Sequence, residues 1–206
     1  MREITAITPQ IKDKTRCNIY VDGRFYCGMG LETTVKNRLK VGMQVDEEAL
    51  SDMQLESEKN AALDKALTHI SATRKTEKEI RAFLSKKGYL PAVVEFVVEK
   101  MRGYDFLNDG EYAREYISHA AKKKGGRLIK SELRAKGLSD EDIDGALEEL
   151  DGDTELAAAT GVLEKYLRSK SADRETLQKA YRYLLGKGFD YETAKRAIDA
   201  FGGEDD

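Results

Sequence analysis

Apolar residues along most of this chain recur at helical spacing. In the second half of the first hundred residues, Leu63, Ala66, Leu67 and Ile70 stand at i, i+3, i+4 and i+7, and Val94, Val97, Val98 and Met101 form a similar stripe. Between them, Ile80, Phe83 and Leu84 predict a second helix. It opens on the capping box Thr76-Glu77-Lys78-Glu79 and stops at Gly88. The same plan returns twice. Tyr112, Ala113, Tyr116 and Ile117, then Leu128, Ile129 and Leu133, then Ile143, Ala146, Leu147 and Leu150 make a second triplet. Leu163, Tyr166 and Leu167, then Leu177, Ala180, Tyr181 and Leu184, then Ala194, Ala197, Ile198 and Phe201 make a third. Ser139 and Asp190 are the predicted caps of the closing helices of the second and third triplets.

The helix stops share one design. Lys87-Gly88, Lys136-Gly137 and Lys187-Gly188 each follow a Leu four positions before the glycine, with Ile80, Ile129 and Ala180 eight before it. An apolar residue follows each: Tyr89, Leu138 and Phe189. Recurrence about every fifty residues implies stacked supersecondary units and a binding surface rather than one compact catalytic core.

The first thirty residues alternate differently. Cys17–Val21 and Phe25–Cys27 flank Asp22-Gly23, a strong hairpin signal, and Glu3–Thr8 reads as a third strand. A plain two-residue turn pairs Val21 with Arg24, Asn18 with Cys27 and Cys17 with Gly28. That register puts one cysteine on each face, so an intrachain disulfide is geometrically awkward. From Leu31 to Met53 we expect a short helix with Val35 and Leu39 inward, a break at Gly42, then a helix capped by Asp46. The expected fold is therefore mainly α: three tandem three-helix repeats in an elongated, curved array behind a small N-terminal β-hairpin or sheet. Its expected segments are 1–53, 54–103, 104–150 and 151–206, with linkers near Tyr104–Asp109 and Asp151–Thr154 and a frayed tail over 203–206.

Composition adds three points. Of 206 residues, 35% are charged, and mean hydropathy is −0.60, so the surface is largely ionic. No apolar run approaches the roughly 18–20 residues of a membrane span, the N-terminus does not resemble a signal peptide, and two cysteines without zinc spacing suit a reducing cytoplasm. The net charge of −3 is unevenly spread: +5 over residues 59–103, −2 over 1–58, and −3 over each of 104–150 and 151–206. The first repeat is the basic one, a local field for an acidic partner or phosphates.

No residues assemble into a recognisable catalytic set. His69 and His119 occupy equivalent places in two repeats, and Gly186-Lys187-Gly188 is a helix stop, not a phosphate loop. Asp151–Glu155 lacks the glycine and late glutamate of a calcium loop and reads as a solvated linker. No metal or other cofactor is expected. Two basic segments are candidate partner-binding surfaces: Arg74, Lys75, Lys78 and Arg81, and Lys122, Lys123, Lys124, Arg127 and Lys130. In the second, three lysines lead through Gly125-Gly126 into a helix N-terminus, an arrangement suited to an anion. Either segment could equally be an ordinary solvated face.

The order of these motifs resembles the RecX family of regulatory proteins. The resemblance is carried by Ala66-Leu67, Arg74-Lys75-Thr76-Glu77-Lys78-Glu79-Ile80-Arg81, Leu84 and Lys87-Gly88, then by Tyr104–Ala113, Glu132-Leu133 with Lys136-Gly137-Leu138, and Tyr183-Leu184 with Lys187-Gly188-Phe189. Ile4-Thr5-Ala6-Ile7 and the Asp22 hairpin resemble the extension of some Gram-positive members. The resemblance implies a monomeric, non-enzymatic protein that binds filaments of the RecA recombinase. Family members modulate, and typically inhibit, its strand exchange, ATP hydrolysis and co-protease role in the SOS response. The alternative is a helical-repeat protein that binds single-stranded DNA through its basic first repeat.

Overall fold

The computed structural model describes residues 1–149, 152–171 and 173–202. It forms two compact units: Met1–Arg74 with Ile80–Phe106, and Lys75–Glu79 with Leu107–Asp206.

The first unit begins with a four-stranded antiparallel sheet ordered β3-β2-β1-β4, from β1 (Arg2–Pro9), β2 (Arg16–Val21), β3 (Arg24–Gly30) and β4 (Gln44–Val45). Asp22 (φ 49) and Gly23 (φ 75) turn the hairpin as the sequence predicts. The register beyond the turn differs from expectation. Tyr20 pairs with Phe25 but Ile19 pairs with Cys27, so Tyr26 is an extra residue on β3, and Cys17 faces Met29. This bulge shifts everything after it by one place. Cys17, Ile19, Val21, Cys27 and Met29 consequently share one buried face, and the expectation of one cysteine per face is corrected. Both thiols are free, and burial, then the neighbouring Cys17, pushes the Cys27 thiol up to about 11.

The short helix α1 (Leu31–Lys36) also departs from the simple pattern. Val35 is 73% exposed, while Thr33 and Thr34 are buried. Thr34 can turn inward because its hydroxyl donates to the Gly30 carbonyl at 2.9 Å. Leu39 is buried as expected. Helix α2 (Glu47–Ile70) then runs unbroken through positions 53 and 54, so the sheet segment and the first repeat share a helix. Ser57, midway along it, is buried and accepts the Gly30 amide at 2.7 Å.

Three helical triplets follow. They are α2 with α3 (Glu77–Lys86) and α4 (Pro91–Gly103); α5 (Asp109–Ala120), α6 (Gly126–Ala135) and α7 (Asp140–Glu148); and α8 (Gly152–Leu167), α9 (Arg174–Gly186) and α10 (Tyr191–Gly202). In each, the first helix packs on the third. The residues four and eight before the stop glycines are all fully buried: Leu84 and Ile80, Leu133 and Ile129, Leu184 and Ala180. Ala159, Leu163, Phe189 and Ala194 fill the third core, and Ala113, Ile117, Leu138 and Ile143 the second. Because α8 starts at Gly152, the linker expected over Asp151–Thr154 is helical from that residue on. Leu150, Asp151 and the tail over 203–206 lie outside the described residues.

Each stop glycine is left-handed: Gly88 at φ 87, Gly137 at φ 95 and Gly188 at φ 91. The amides of Tyr89, Leu138 and Phe189 return to the carbonyls of Leu84, Leu133 and Leu184, closing the same C-terminal motif three times.

Two of these stops are also sockets. At Lys187-Gly188, the amides of Gly125 and Arg127 donate to the carbonyls of Lys187 (3.0 Å) and Gly188 (3.2 Å). A Cβ on Gly125 would stand 2.3 Å from the Phe189 nitrogen, and one on Gly188 would stand 2.3 Å from the Leu128 Cβ. The approach therefore requires glycine at both places. At Lys136-Gly137, the seated element is the Lys75–Glu79 segment. Thr76 donates its hydroxyl to the Lys136 carbonyl at 2.9 Å, and Lys78 donates to the Ala135 carbonyl at 3.0 Å. Orphan donors at one helix start thus satisfy orphan acceptors at another helix end.

Gly125→Ala is expected to destabilise the protein by about 1–3 kcal/mol, because backbone rather than a flexible side chain blocks the methyl. Gly161→Ala, within α8 and with open space around its Cβ, should stabilise by about 0.5–1 kcal/mol. Urea unfolding of both variants checks this; equal stability would contradict the close approach.

Candidate functional site

The nine sequence-predicted basic residues lie in the loops that lead into α3 and α6 and in the first half of those helices, and their surroundings differ. Arg74 and Arg81 belong to the first unit, and Lys75 and Lys78 to the second. Arg81 grips Glu95 through both guanidinium nitrogens, one bond measuring 3.0 Å. That bond holds the Glu95 carboxyl below its ordinary value. Lys78 is exposed but bonds the end of α6, as above. Lys75 is half-buried and near enough to Glu79 to favour its charged form; Arg74 is exposed. All four residues of this group have intramolecular interactions that a ligand would have to displace.

All five residues of the second group lie in the second unit. Lys124 donates to both Glu132 oxygens at 2.6 and 2.8 Å, and the Tyr116 hydroxyl donates to the same carboxylate at 2.7 Å. The Glu132 bond raises the Lys124 pKa. Burial pushes the Glu132 carboxyl up, but the Lys124 and Tyr116 bonds outweigh it and leave it below its ordinary value. Lys130 donates to Asp144 at 2.5 and 2.7 Å. Lys122, Lys123 and Arg127 are exposed, and the Arg127 guanidinium carbon lies 5.7 Å from the Tyr191 ring centroid. Lys122 and Lys123 have no ion-pair partner among the described residues.

The helix start itself does not serve as the expected anion site. Gly125 and Arg127 amides are bonded to the Lys187-Gly188 stop, and the Gly126 amide donates to the Glu155 carboxylate at 3.0 Å. Three amides at this helix start are already satisfied, one of them by a carboxylate of this chain. Gly125 is buried, so this is a packed joint and not a flexible basic loop. Lys122, Lys123 and Arg127 face solvent beside this joint.

Sequence reasoning missed Lys136, the most perturbed cation here. It donates to Glu79 at 2.8 Å, and that bond, then the neighbouring Tyr112, raises its pKa. Burial pushes the Glu79 carboxyl up, but the Lys136 bond and the Thr76 amide outweigh it and hold it below 4.5. The same carboxylate completes the capping box: the Thr76 amide donates to it at 3.1 Å, and the Glu79 amide donates to the Thr76 hydroxyl at 3.2 Å. The partners lie 57 residues apart, so periodicity within one repeat carries no sign of the pair.

The histidines are accounted for locally. His69 stacks on Phe83 with ring centroids 4.0 Å apart, and His119 Nδ1 lies 2.8 Å from the Glu115 carbonyl. Among the described residues, no cluster of three or more His, Cys, Asp or Glu could hold a metal, and no helix is long and apolar enough to cross a membrane.

With this geometry in hand, comparison with known proteins is informative along the whole chain. Residues 2–46 match the family model described as the regulatory protein RecX N-terminal domain. Residues 62–101, 108–147 and 153–198 match the first, second and third three-helix domains of RecX. The chain is 36% identical over 196 residues to a regulatory protein RecX of Clostridium acetobutylicum, covering 91% of each chain. It is 33% identical over 202 residues to one of Clostridium perfringens, covering 96% of this chain and 95% of the relative. Among solved structures, a crystal structure of a regulatory protein RecX superposes with a TM-score of 0.74 at 27% identity, over 97% of this chain and all of that one. RecX from Lactobacillus salivarius superposes over 69% of this chain and 96% of that one, with a TM-score of 0.65 at 25% identity.

The Glu79–Lys136 pair predicts a pH signature. A carboxyl with a depressed folded-state pKa contributes stability above its unfolded value near 4.5, and loses it as pH falls through the folded value. Lys136, being raised, contributes fully below 10.5 and loses it only as pH climbs through its folded value. Glu79→Gln should therefore flatten the fall in melting temperature between about pH 5 and pH 3 while lowering stability at neutral pH by about 1 kcal/mol. An unchanged acid limb would show that the pair contributes nothing.

Proposed function

The chain belongs to the RecX family of regulatory proteins, and we propose that it binds RecA recombinase filaments in the cytoplasm and inhibits their activities without chemistry of its own. The observation that carries this reading is the ordered match of all four RecX domains across the chain. The architecture supports it: three small-cored helical triplets offer many exposed polar faces, while both histidines have local structural partners. Binding by repeats distributes affinity over many weak contacts, which suits a polymeric partner that presents the same surface repeatedly.

Lys122, Lys123 and Arg127 are the contacts we assign first, because they are exposed and lie beside a joint that holds them in place. Lys124 and Lys130 act behind them, as holders of Glu132 and Asp144. Arg74, Lys75, Lys78 and Arg81 form a secondary set whose engagement requires exchange of existing partners. The protein works as a monomer in this reading, and single-stranded DNA is met only as part of the filament.

Titration into the cognate recombinase should lower its single-strand-DNA-dependent ATP hydrolysis. Simultaneous charge reversal at Lys122, Lys123 and Arg127 should raise the half-inhibitory concentration about tenfold or more, since three exposed charges each contribute up to about 1 kcal/mol. Unchanged hydrolysis at saturating protein and low salt would overturn the proposal. Tight, salt-sensitive binding to bare single strands would instead favour a nucleic-acid-binding protein.

A further inference from the structure

Three stops share the Lys-Gly pattern and one backbone form, yet among the described residues only two receive a helix start. Lys136-Gly137 receives the first turn of α3, and Lys187-Gly188 receives the first turn of α6. Lys87-Gly88 has the same left-handed glycine and the same returning bond from the following residue. Lys87 even shares the posture of Lys187, each ammonium lying over the ring four residues earlier, at 5.7 Å from Phe83 and 5.3 Å from Tyr183. The described residues before α2 form the sheet and α1, not a helical triplet. A Cβ on Gly88 would meet nothing within 4 Å, where Gly137 and Gly188 meet atoms at 2.4 and 2.3 Å.

A concave surface reaches this stop at Lys87. A cleft of about 860 Å³ lies between the end of α3, α2 and the loop entering β2. Lys87, Phe83 and His69 line one side, and Lys14, Thr15 and Arg16 the other. The N-terminal sheet thus supplies a second wall at the one stop that lacks a preceding triplet.

We propose that Lys86-Lys87-Gly88 is a vacant socket for the first turn of a helix in a partner protein, one that begins with Ser or Thr and carries Glu three residues later. The filled socket at Lys136 sets this chemistry. There the hydroxyl of Thr76 meets the Lys carbonyl, and Glu79 meets the Lys ammonium. Lys87 occupies the place of Lys136 and is exposed. The Gly-Gly start that fills the Lys187 socket fits less well, because its close approach relies on a buried glycine, whereas Gly88 is exposed. A second copy of the chain does not supply the right element. Helix α9 starts at Arg174, fourteen residues before Gly188, whereas α3 and α6 start eleven residues before Gly88 and Gly137. The counterpart of Thr76 is therefore Thr176, already inside α9 with its amide bonded to Asp173. This inference goes beyond recombinase binding and does not depend on it.

The probe is a helix-stapled peptide with the sequence of residues 74–85, titrated into the isotope-labelled full chain and followed by amide NMR. Saturable shifts are expected at Lys86, Lys87, Gly88 and Tyr89 but not at Lys136–Leu138 or Lys187–Phe189. Charge reversal at Glu79 within the peptide, or Lys87→Glu in the protein, should weaken binding about tenfold. No shift at the Gly88 stop with millimolar peptide would overturn the socket. Saturable shifts there with inorganic phosphate, undiminished by Glu79 reversal in the peptide, would make it a phosphate site and also overturn it. Concentration-dependent self-association abolished by Lys87→Glu would name a second copy as occupant and would likewise overturn the partner-helix assignment.

Discussion

The second unit depends on a backbone approach that leaves no room for a single methyl group. Gly125 lies against Gly188 and Phe189 so closely that a Cβ on either glycine would overlap its neighbour. The approach lets a helix start donate its orphan amides to a helix end that has orphan carbonyls, which satisfies both without water. Head-to-tail placement also sets the positive end of one helix against the negative end of another. Leu128, Ile129 and Leu133 then follow from a fixed starting point, as do the outward positions of Lys122, Lys123 and Arg127.

The Thr76 box uses side chains to reach the same result. A buried hydroxyl both accepts from its own helix and donates to the Lys136 carbonyl, and one carboxylate holds both the Thr76 amide and the Lys136 ammonium. Two chemically different helix starts therefore fit one recurring helix end. The Lys-Gly stop is the constant element, and this explains why it recurs so faithfully while the starts it receives do not.

Much of this was legible in the sequence and some was not, for identifiable reasons. Helical periodicity, the stop glycines, the Asp22-Gly23 turn and the caps at Asn108, Ser139 and Asp173 are local chemistry, and local chemistry is readable; of these caps, sequence reading named only Ser139. The bulge is not legible in the sequence because Phe25, Tyr26 and Cys27 are all β-favouring, so nothing marks Tyr26 as the extra residue. Val35 was placed inward because threonine counts as polar, whereas Thr34 buries its hydroxyl by bonding Gly30. The continuity of α2 is hard to read because residues 56–60 are all polar, whereas Ser57 is buried with its hydroxyl accepting the Gly30 amide. Gly125-Gly126 reads as an open approach to a helix N-terminus suited to an anion because glycine signals both freedom and close approach, and only the distant Gly188 distinguishes them. The cationic candidates are visible in the sequence as a count of charges, but the pairing of Lys124, Lys130 and Arg81 with Glu132, Asp144 and Glu95 is invisible to such a count.

The joint between helix ends is therefore what ties the second and third triplets of the second unit together and fixes the positions of Lys122, Lys123 and Arg127 beside it. Native-state hydrogen exchange measures this most directly, because first-turn amides of a helix normally exchange freely. The account predicts that the Gly125 and Arg127 amides are protected as strongly as the Leu133 amide in the core of the same triplet, and that they open together with it. Exchange of those two amides at the rate of unprotected helix starts, with Leu133 still protected, would contradict it.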